Sequence, residues 1–238
     1  MNKKTFSLFI GLMILLLVIV GCGSDNGLEQ LELNNNFSEG DDGWETGFAD
    51  LPADHDDALY ELDSGRRELP AGLGGYGIYL QGHNRSDDLF MYLTKQVTGL
   101  KPNTTYSLTF HIEMATNAAG GGVGIGGAPG ESVFVKVGAS TQQPMTEETA
   151  DGFLMINIDK GNQATGGSDM LVIGDVASPD VLDETQFALK TFVVEGFEAS
   201  TDADGNLWLI AGTDSGFEGL TTVYFTQIDV TLTATAGQ

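Results

Sequence analysis

The sequence predicts an all-β protein built as a single antiparallel β-sandwich, and two observations carry that prediction. Apolar residues recur at every second position in short runs, the period of a strand with one buried and one wet face, and no helical period is sustained after the first 22 residues. Nine to eleven such runs follow one another at fairly regular spacing, separated by turns bearing glycine, proline and aspartate. That is the pattern of a sandwich and not of alternating strands and helices.

The clearest run lies at the centre of the chain. Tyr106, Leu108, Phe110, Ile112 and Met114 alternate with Ser107, Thr109, His111, Glu113 and Ala115. Just upstream, Leu89, Met91 and Leu93 alternate with Phe90 and Tyr92, and Gly99, Pro102 and Asn103 supply the residues that reverse a chain. The two runs are expected to form a hairpin. Further strands are expected at 133–137, 154–158, 170–173, 192–194, 207–211 and 224–232, with shorter ones at 59–62 and 77–82 and one within 33–48 ahead of the Asp-Gly turn and Trp44. Residues 117–130 and 159–169 are glycine-containing loops.

The N-terminus reads as a processing segment. Lys3 and Lys4 precede an apolar run from Phe6 to Val20, which Ile19-Val20-Gly21-Cys22 closes. The run is shorter than the ~20 apolar residues that span a bilayer. Its ending resembles the bacterial lipobox, and the one cysteine of the chain stands where that motif requires it. The resemblance implies a lipoprotein signal peptide over 1–21, a lipidated (palmitate-bearing) Cys22 with a polar tether to residue 32, and one domain over 33–238. It also implies an address: a bacterial membrane, with the protein held outside the cytoplasm. Gly23 after the cysteine, in place of Asp, fits an outer membrane or cell surface in a two-membrane cell.

Without residues 1–21 the chain carries 8 basic and 34 acidic side chains, a formal charge of −26. Such a surface repels phosphate backbones and anionic lipid headgroups, so nucleic acid is not an expected partner. With Cys22 acylated no thiol remains for a disulfide, so the fold rests on its core.

Two further likenesses concern the folded part. ELNNNFSEGDDGWETGF, GLKPNTTYSLTF and TTVYFTQIDVTL resemble segments of jelly rolls of the carbohydrate-binding-module and galactose-binding kind. SDDLFMYL, GGAPGESVFVKVGAS, MINIDKGNQ and LWLIAGTDSGFEG resemble an uncharacterised family of exported bacterial lipoproteins. The first likeness implies a jelly roll and a glycan as ligand.

Motifs of specific chemistry are few. Gly122 to Gly127 has G-x-G-x-x-G spacing, but a β-run follows where a dinucleotide site needs a helix, so no nucleotide is expected. Asp202, Asp204 and Asn206 begin like a Ca²⁺ loop, yet Leu207 stands where the sixth-position glycine belongs. They are candidate ligands of a looser Ca²⁺ site, with Asp41, Asp42, Asp56, Asp57, Asp87 and Asp88 as spare carboxylates, and an Asp-Gly turn is the competing reading. Asp214-Ser215-Gly216 lacks the sequence context of a serine nucleophile. No cofactor is required by anything in the sequence.

His111 and Glu113 share a strand face opposite the core residues. With Trp44, Tyr92 and Trp208 as stacking rings, and Tyr76 and Tyr79 beside them, they are the candidate ligand-binding residues. The expectation is a lipid-anchored envelope protein without catalytic signatures, binding a glycan or another extracellular ligand. An envelope assembly component contacting proteins is the alternative, and a secreted hydrolase a third.

Overall fold

The computed structural model describes residues 30–235; Cys22 and the signal segment lie outside the described residues. The described elements run β1 (Gln30–Asn35), β2 (Glu45–Ala49), β3 (Leu51–Pro52), α1 (Asp57–Tyr60), β4 (Asp63–Glu68), β5 (Tyr76–His83), β6 (Leu89–Val97) and β7 (Thr105–Thr116). They continue with β8 (Val133–Ser140), β9 (Thr146–Glu148), β10 (Phe153–Ile156), β11 (Met170–Asp175), β12 (Ala188–Ser200), β13 (Leu207–Ser215) and β14 (Leu220–Ala234). Every strand pairing is antiparallel. β1 begins at Gln30, inside the stretch read from sequence as tether.

Two large sheets form the sandwich. The first has the order β12-β7-β14-β5-β4, with β1 also on β14; the second has the order β11-β8-β13-β6-β2. β14 is long enough to take two partners in succession on one side, β5 up to Phe225 and β1 from Ile228. A bulge between Phe225 and Gln227 marks the change. A third, small sheet, β3-β10-β9, lies outside the pair.

Between the large sheets lies the main core. β7 contributes Tyr106, Leu108, Phe110, Ile112 and Met114, each 0 % exposed, and β8 and β13 contribute Val133, Val135, Val137, Leu207, Leu209 and Ala211. The alternation read in β7 is therefore the one that the fold uses.

The expected hairpin of β6 and β7 is corrected. β6 pairs with β13 and β2, and β7 with β12 and β14, so the connection over 98–104 carries the chain from one sheet to the other. The Tyr106 hydroxyl accepts the Lys101 N–H at 3.0 Å and so fixes this crossing. The expected strand at 59–62 is corrected as well. Asp56 accepts the Ala58 N–H at 2.9 Å as an N-cap, which winds Asp57–Tyr60 into one helical turn.

Candidate functional site

The two large sheets differ in what covers their outer faces. On the second sheet the outward residues Phe90, Tyr92, Ala49 and Ile210 are apolar, and they meet Ile156, Ile158 and Met170 in a second buried cluster. β9, β10 and the loop over 157–169 thus act as a lid. Its approach is close. A Cβ on Gly138 would stand 1.9 Å from the Asp169 carbonyl. Within the sheet, Gly47 makes room for the ring of its partner Tyr92, which a Cβ there would meet at 2.3 Å. The Tyr92 hydroxyl lies 3.0 Å from Thr146 Oγ1, which joins the ring to β9.

Beside this second core sit five charged groups. Asp214 on β13 and Lys136 on β8 are both fully buried, with Lys136 Nζ donating to Asp214 Oδ2 at 2.7 Å. Lys160, in the lid, donates to the same oxygen at 2.8 Å, and its Nζ is also 2.8 Å from Asp50 Oδ2 and 3.6 Å from Asp88 Oδ2. Lys136 further donates to the carbonyls of Lys160 and Thr165, and the Gln163 N–H donates to Asp214. Carboxylate oxygens of Asp50, Asp88 and Asp214 lie within 4.8 Å of one another, a spacing that suits a hard cation. The Lys160 ammonium supplies the positive charge among them.

The electrostatics follow from this crowding. Burial, and then the charge of Asp214, push the Asp88 carboxyl up to about 8. Burial works against the charge of Asp214, but Lys160, a hydrogen bond from Asp88 and Lys136 outweigh it and hold its carboxylate below the usual range. Burial likewise opposes the charge on Lys160, and Asp214, Asp50 and Asp88 overcome it, so its ammonium is held more firmly than usual. Asp50 keeps the left-handed backbone angle φ 67°, uncommon outside glycine, and is itself buried.

On the first sheet β7 and β14 alternate buried and accessible positions over most of their length, so their outer face is open, while β5 is buried on both faces over 77–80. The register sets rows across it. Leu189, Ala115, Tyr224, Tyr79 and Gly65 stand side by side on β12, β7, β14, β5 and β4. The Tyr79 and Tyr224 rings meet edge to face at 5.0 Å, and Phe187 meets Tyr224 at 5.6 Å. Arg67 lies 4.1 Å over the Tyr79 ring and is paired to Asp63 at 2.5 Å. Burial raises the phenol pKa of both tyrosines, and the Arg67 hydrogen bond lowers that of Asp63.

Polar groups flank that row. Gln81 Oε1 accepts from the Tyr79 and Thr222 hydroxyls, and its amide donates to the Glu61 carbonyl. The next rows hold Thr191, Glu113 and Gln227, then Val193, His111 and Asp229. Glu113 accepts from Thr226 at 2.8 Å, and Asp229 accepts from Gln227 and from the Asn35 N–H. A cleft of about 470 Å³ opens at the sandwich edge near Asp63 and Ser64, where His55 Nε2 lies 2.8 Å from Asp57.

The residues singled out from sequence are thus dispersed. His111 and Glu113 lie on the open face; Tyr79 points to the same side but is 7 % exposed, buried beneath Arg67 and Tyr224. Trp44 is 3 % exposed in the main core and Tyr92 is 5 % exposed under the lid, so neither ring is presented to solvent. Trp208 is half-buried on the outer side of the second sheet, between Gln96 and Ser140. Asp202 accepts from Asp204 N, Asn206 N and Asn206 Nδ2, so its oxygens close its own turn. Tyr224, Phe187 and Arg67 were not singled out. The alternation of Tyr224 and Thr222 with Val223 and Phe225 is the signal that could have found the first.

No family model matches the chain, and no curated protein matches it. Among solved structures, the chain is similar to a carbohydrate-binding module in complex with β-1,4-galactotriose, at 11% identity and TM-score 0.37 over 82% of this chain and 89% of that one. It is also similar to the C-terminal family 22 carbohydrate-binding module of a Clostridium thermocellum protein, at 12% identity and TM-score 0.35 over 90% and 98%. A cyclase from Fischerella sp. solved with an indole compound is similar at 16% identity and TM-score 0.37 over 84% and 95%. A shared fold does not fix function, which has to be read from the side chains of this chain.

The buried charges give a direct expectation. Lys160→Met removes the ammonium from among three acids and is expected to lower stability by about 3–5 kcal/mol, the cost of breaking a buried pair from one side. Thermal melting measures the loss, and an unchanged melt would show that Lys160 does not hold the lid.

Proposed function

We propose that this protein binds a glycan on the open face of the first sheet, and that it does so without catalysis. The observation that carries the reading is the pair of half-buried rings Tyr224 and Phe187, seated against the buried Tyr79 and its Arg67, and bordered by the amide of Gln81 and the side chains of Glu113, His111 and Asp229. Aromatic faces suit the apolar C–H side of a sugar ring, and fixed amide and carboxylate groups suit its hydroxyls.

The reading extends to the address. Cys22 is the proposed lipid anchor, and the eight peptide steps from there to Gln30 reach no farther than about 30 Å. Gln30 pairs with Thr233, at the end of β14 remote from Tyr224. A tether leaving there keeps the aromatic row on the half of the domain away from the membrane. Outer-membrane sorting belongs to the same proposal, as does the jelly-roll path of the chain. Ca²⁺ enters as a proposed stabilising ion of the acidic loops only.

A protein partner is the second reading, and one observation favours it. Val123 and Ile125 in the loop over 117–130, and Leu182 in the loop over 176–187, are exposed apolar side chains at the remote end, and the two loops join at the Ala119–Ser178 bridge.

Two experiments test these statements. A glycan array probed with the protein is expected to give defined oligosaccharide hits. Tyr224→Ala should weaken them about tenfold, the equivalent of ~1.4 kcal/mol, and Trp208→Ala on the other sheet should leave them unchanged. An array without hits, or equal losses in both variants, would overturn the glycan reading. Cys22→Ser is expected to move the protein from the membrane to the soluble fraction, since acylation supplies the anchor. Unchanged fatty-acid labelling of that variant would refute the anchor.

A further inference from the structure

Glycan binding on the first sheet leaves the charged cluster of the second without a role, and its geometry holds more than an ion pair. Lys136 and Asp214 are on adjacent strands, Lys136 opposite Gly212 and Asp214 opposite Phe134, and both point under the lid. The amine lies 2.7 Å from Asp214 Oδ2, and no part of either side chain is exposed. That same oxygen accepts from Lys160 Nζ at 2.8 Å and from the Gln163 N–H at 2.9 Å. Asp214 Oδ1, in contrast, is buried without a hydrogen-bond partner, and so is Asp88 Oδ1. Two adjacent buried carboxyl groups with unpartnered oxygens are satisfied together if one proton lies between them.

These parts are an amine, a carboxyl carbon, two donors on one of its oxygens and an acid beside the carboxyl. We infer that Lys136 and Asp214 condense into an internal amide bond that covalently joins β8 to β13, with Asp88 moving the protons. Burial pushes Asp88 up to about 8 and pulls the Lys136 amine below its ordinary range. Both shifts favour the protonation states that the step requires, a protonated acid beside a neutral amine.

The step balances without any oxidant or co-reactant. Lys136 passes one ammonium proton to the carboxyl pair through Asp88, and the freed nitrogen lone pair attacks Asp214 Cγ to form the C–N bond. Negative charge gathers on Oδ2, where the Lys160 ammonium and the Gln163 N–H already donate. The C–Oδ1 bond then breaks, and that oxygen leaves as water carrying the two protons that the ammonium gave up. One ammonium and one carboxylate become one neutral amide and one water. The amide retains an N–H for the carbonyl of Lys160 or Thr165, both of which accept from Lys136 Nζ. Fixed proximity supplies the effective concentration that condensation in water lacks, and exclusion of water by the lid disfavours reversal.

The inference is independent of glycan binding, and its test reads no ligand. Peptide mapping by mass spectrometry is done on the full chain, so that modification at the N-terminus does not interfere. A linked pair of peptides containing Lys136 and Asp214, lighter by one water than their sum, is the expected result. Lys136→Arg and Asp88→Asn should give the two peptides separately, with circular dichroism confirming that each variant is folded. If a variant fails to fold, the wild-type map still decides. Separate wild-type peptides at full mass would overturn the proposal, and a link from Lys160 to Asp214 would overturn the choice of nucleophile. Full linkage in folded Asp88→Asn would overturn the role given to Asp88.

Discussion

The constraint on which the rest of the structure depends is that the second sheet is apolar on both faces. Leu89, Met91 and Leu93 fill the main core, while Phe90 and Tyr92 on the same strand point the other way and need a cover of their own. The lid of β9, β10 and 157–169 provides it, and the glycine at 138 lets it approach. Lids of this kind bury backbone and polar groups that must find partners. The Lys136, Lys160 and Asp214 set meets that demand by tying lid carbonyls and amides to β8 and β13. With one sheet closed in this way, the first sheet is the one left with an open face.

Much of this was legible in the sequence where one strand decides the matter alone. β7 shows its faces by simple alternation, and the turn at Asp41 to Gly43 forms as its residues suggest, with Trp44 N donating to the Asp41 carbonyl. The partner of a strand is a different question. Gly99, Pro102 and Asn103 signal that the chain reverses, but they do not say whether it returns beside its predecessor or in the facing sheet. A better signal lay in LFMYL itself, since five apolar residues in a row mark a strand buried on both faces.

The candidate sites divide along the same line. His111 and Glu113 were accessible to periodicity because they alternate with core residues. Trp44 and Tyr92 were chosen by residue type, which cannot tell a ring that packs from a ring that stacks on a ligand. Asp50, Asp88, Lys136, Lys160 and Asp214 come from five separate stretches, and no local pattern joins them. Lys136 left a trace of its burial, as a charge inside the otherwise apolar run VFVKVGAS, while Asp88 and Asp214 drew notice only for other chemistries.

The central claim is the asymmetry between a closed and an open sheet, and side-chain oxidation by hydroxyl radicals, read on the full chain by mass spectrometry, tests it most directly. Methionine provides an internal comparison, since Met170 is 0 % exposed under the lid and Met155 is 39 % exposed on its outer side. The account predicts fast labelling of Met155, Val193 and Leu189, and near-complete protection of Met170, Phe90 and Tyr92. Labelling of Phe90, Tyr92 and Met170 at the rate of the open-face residues would contradict it.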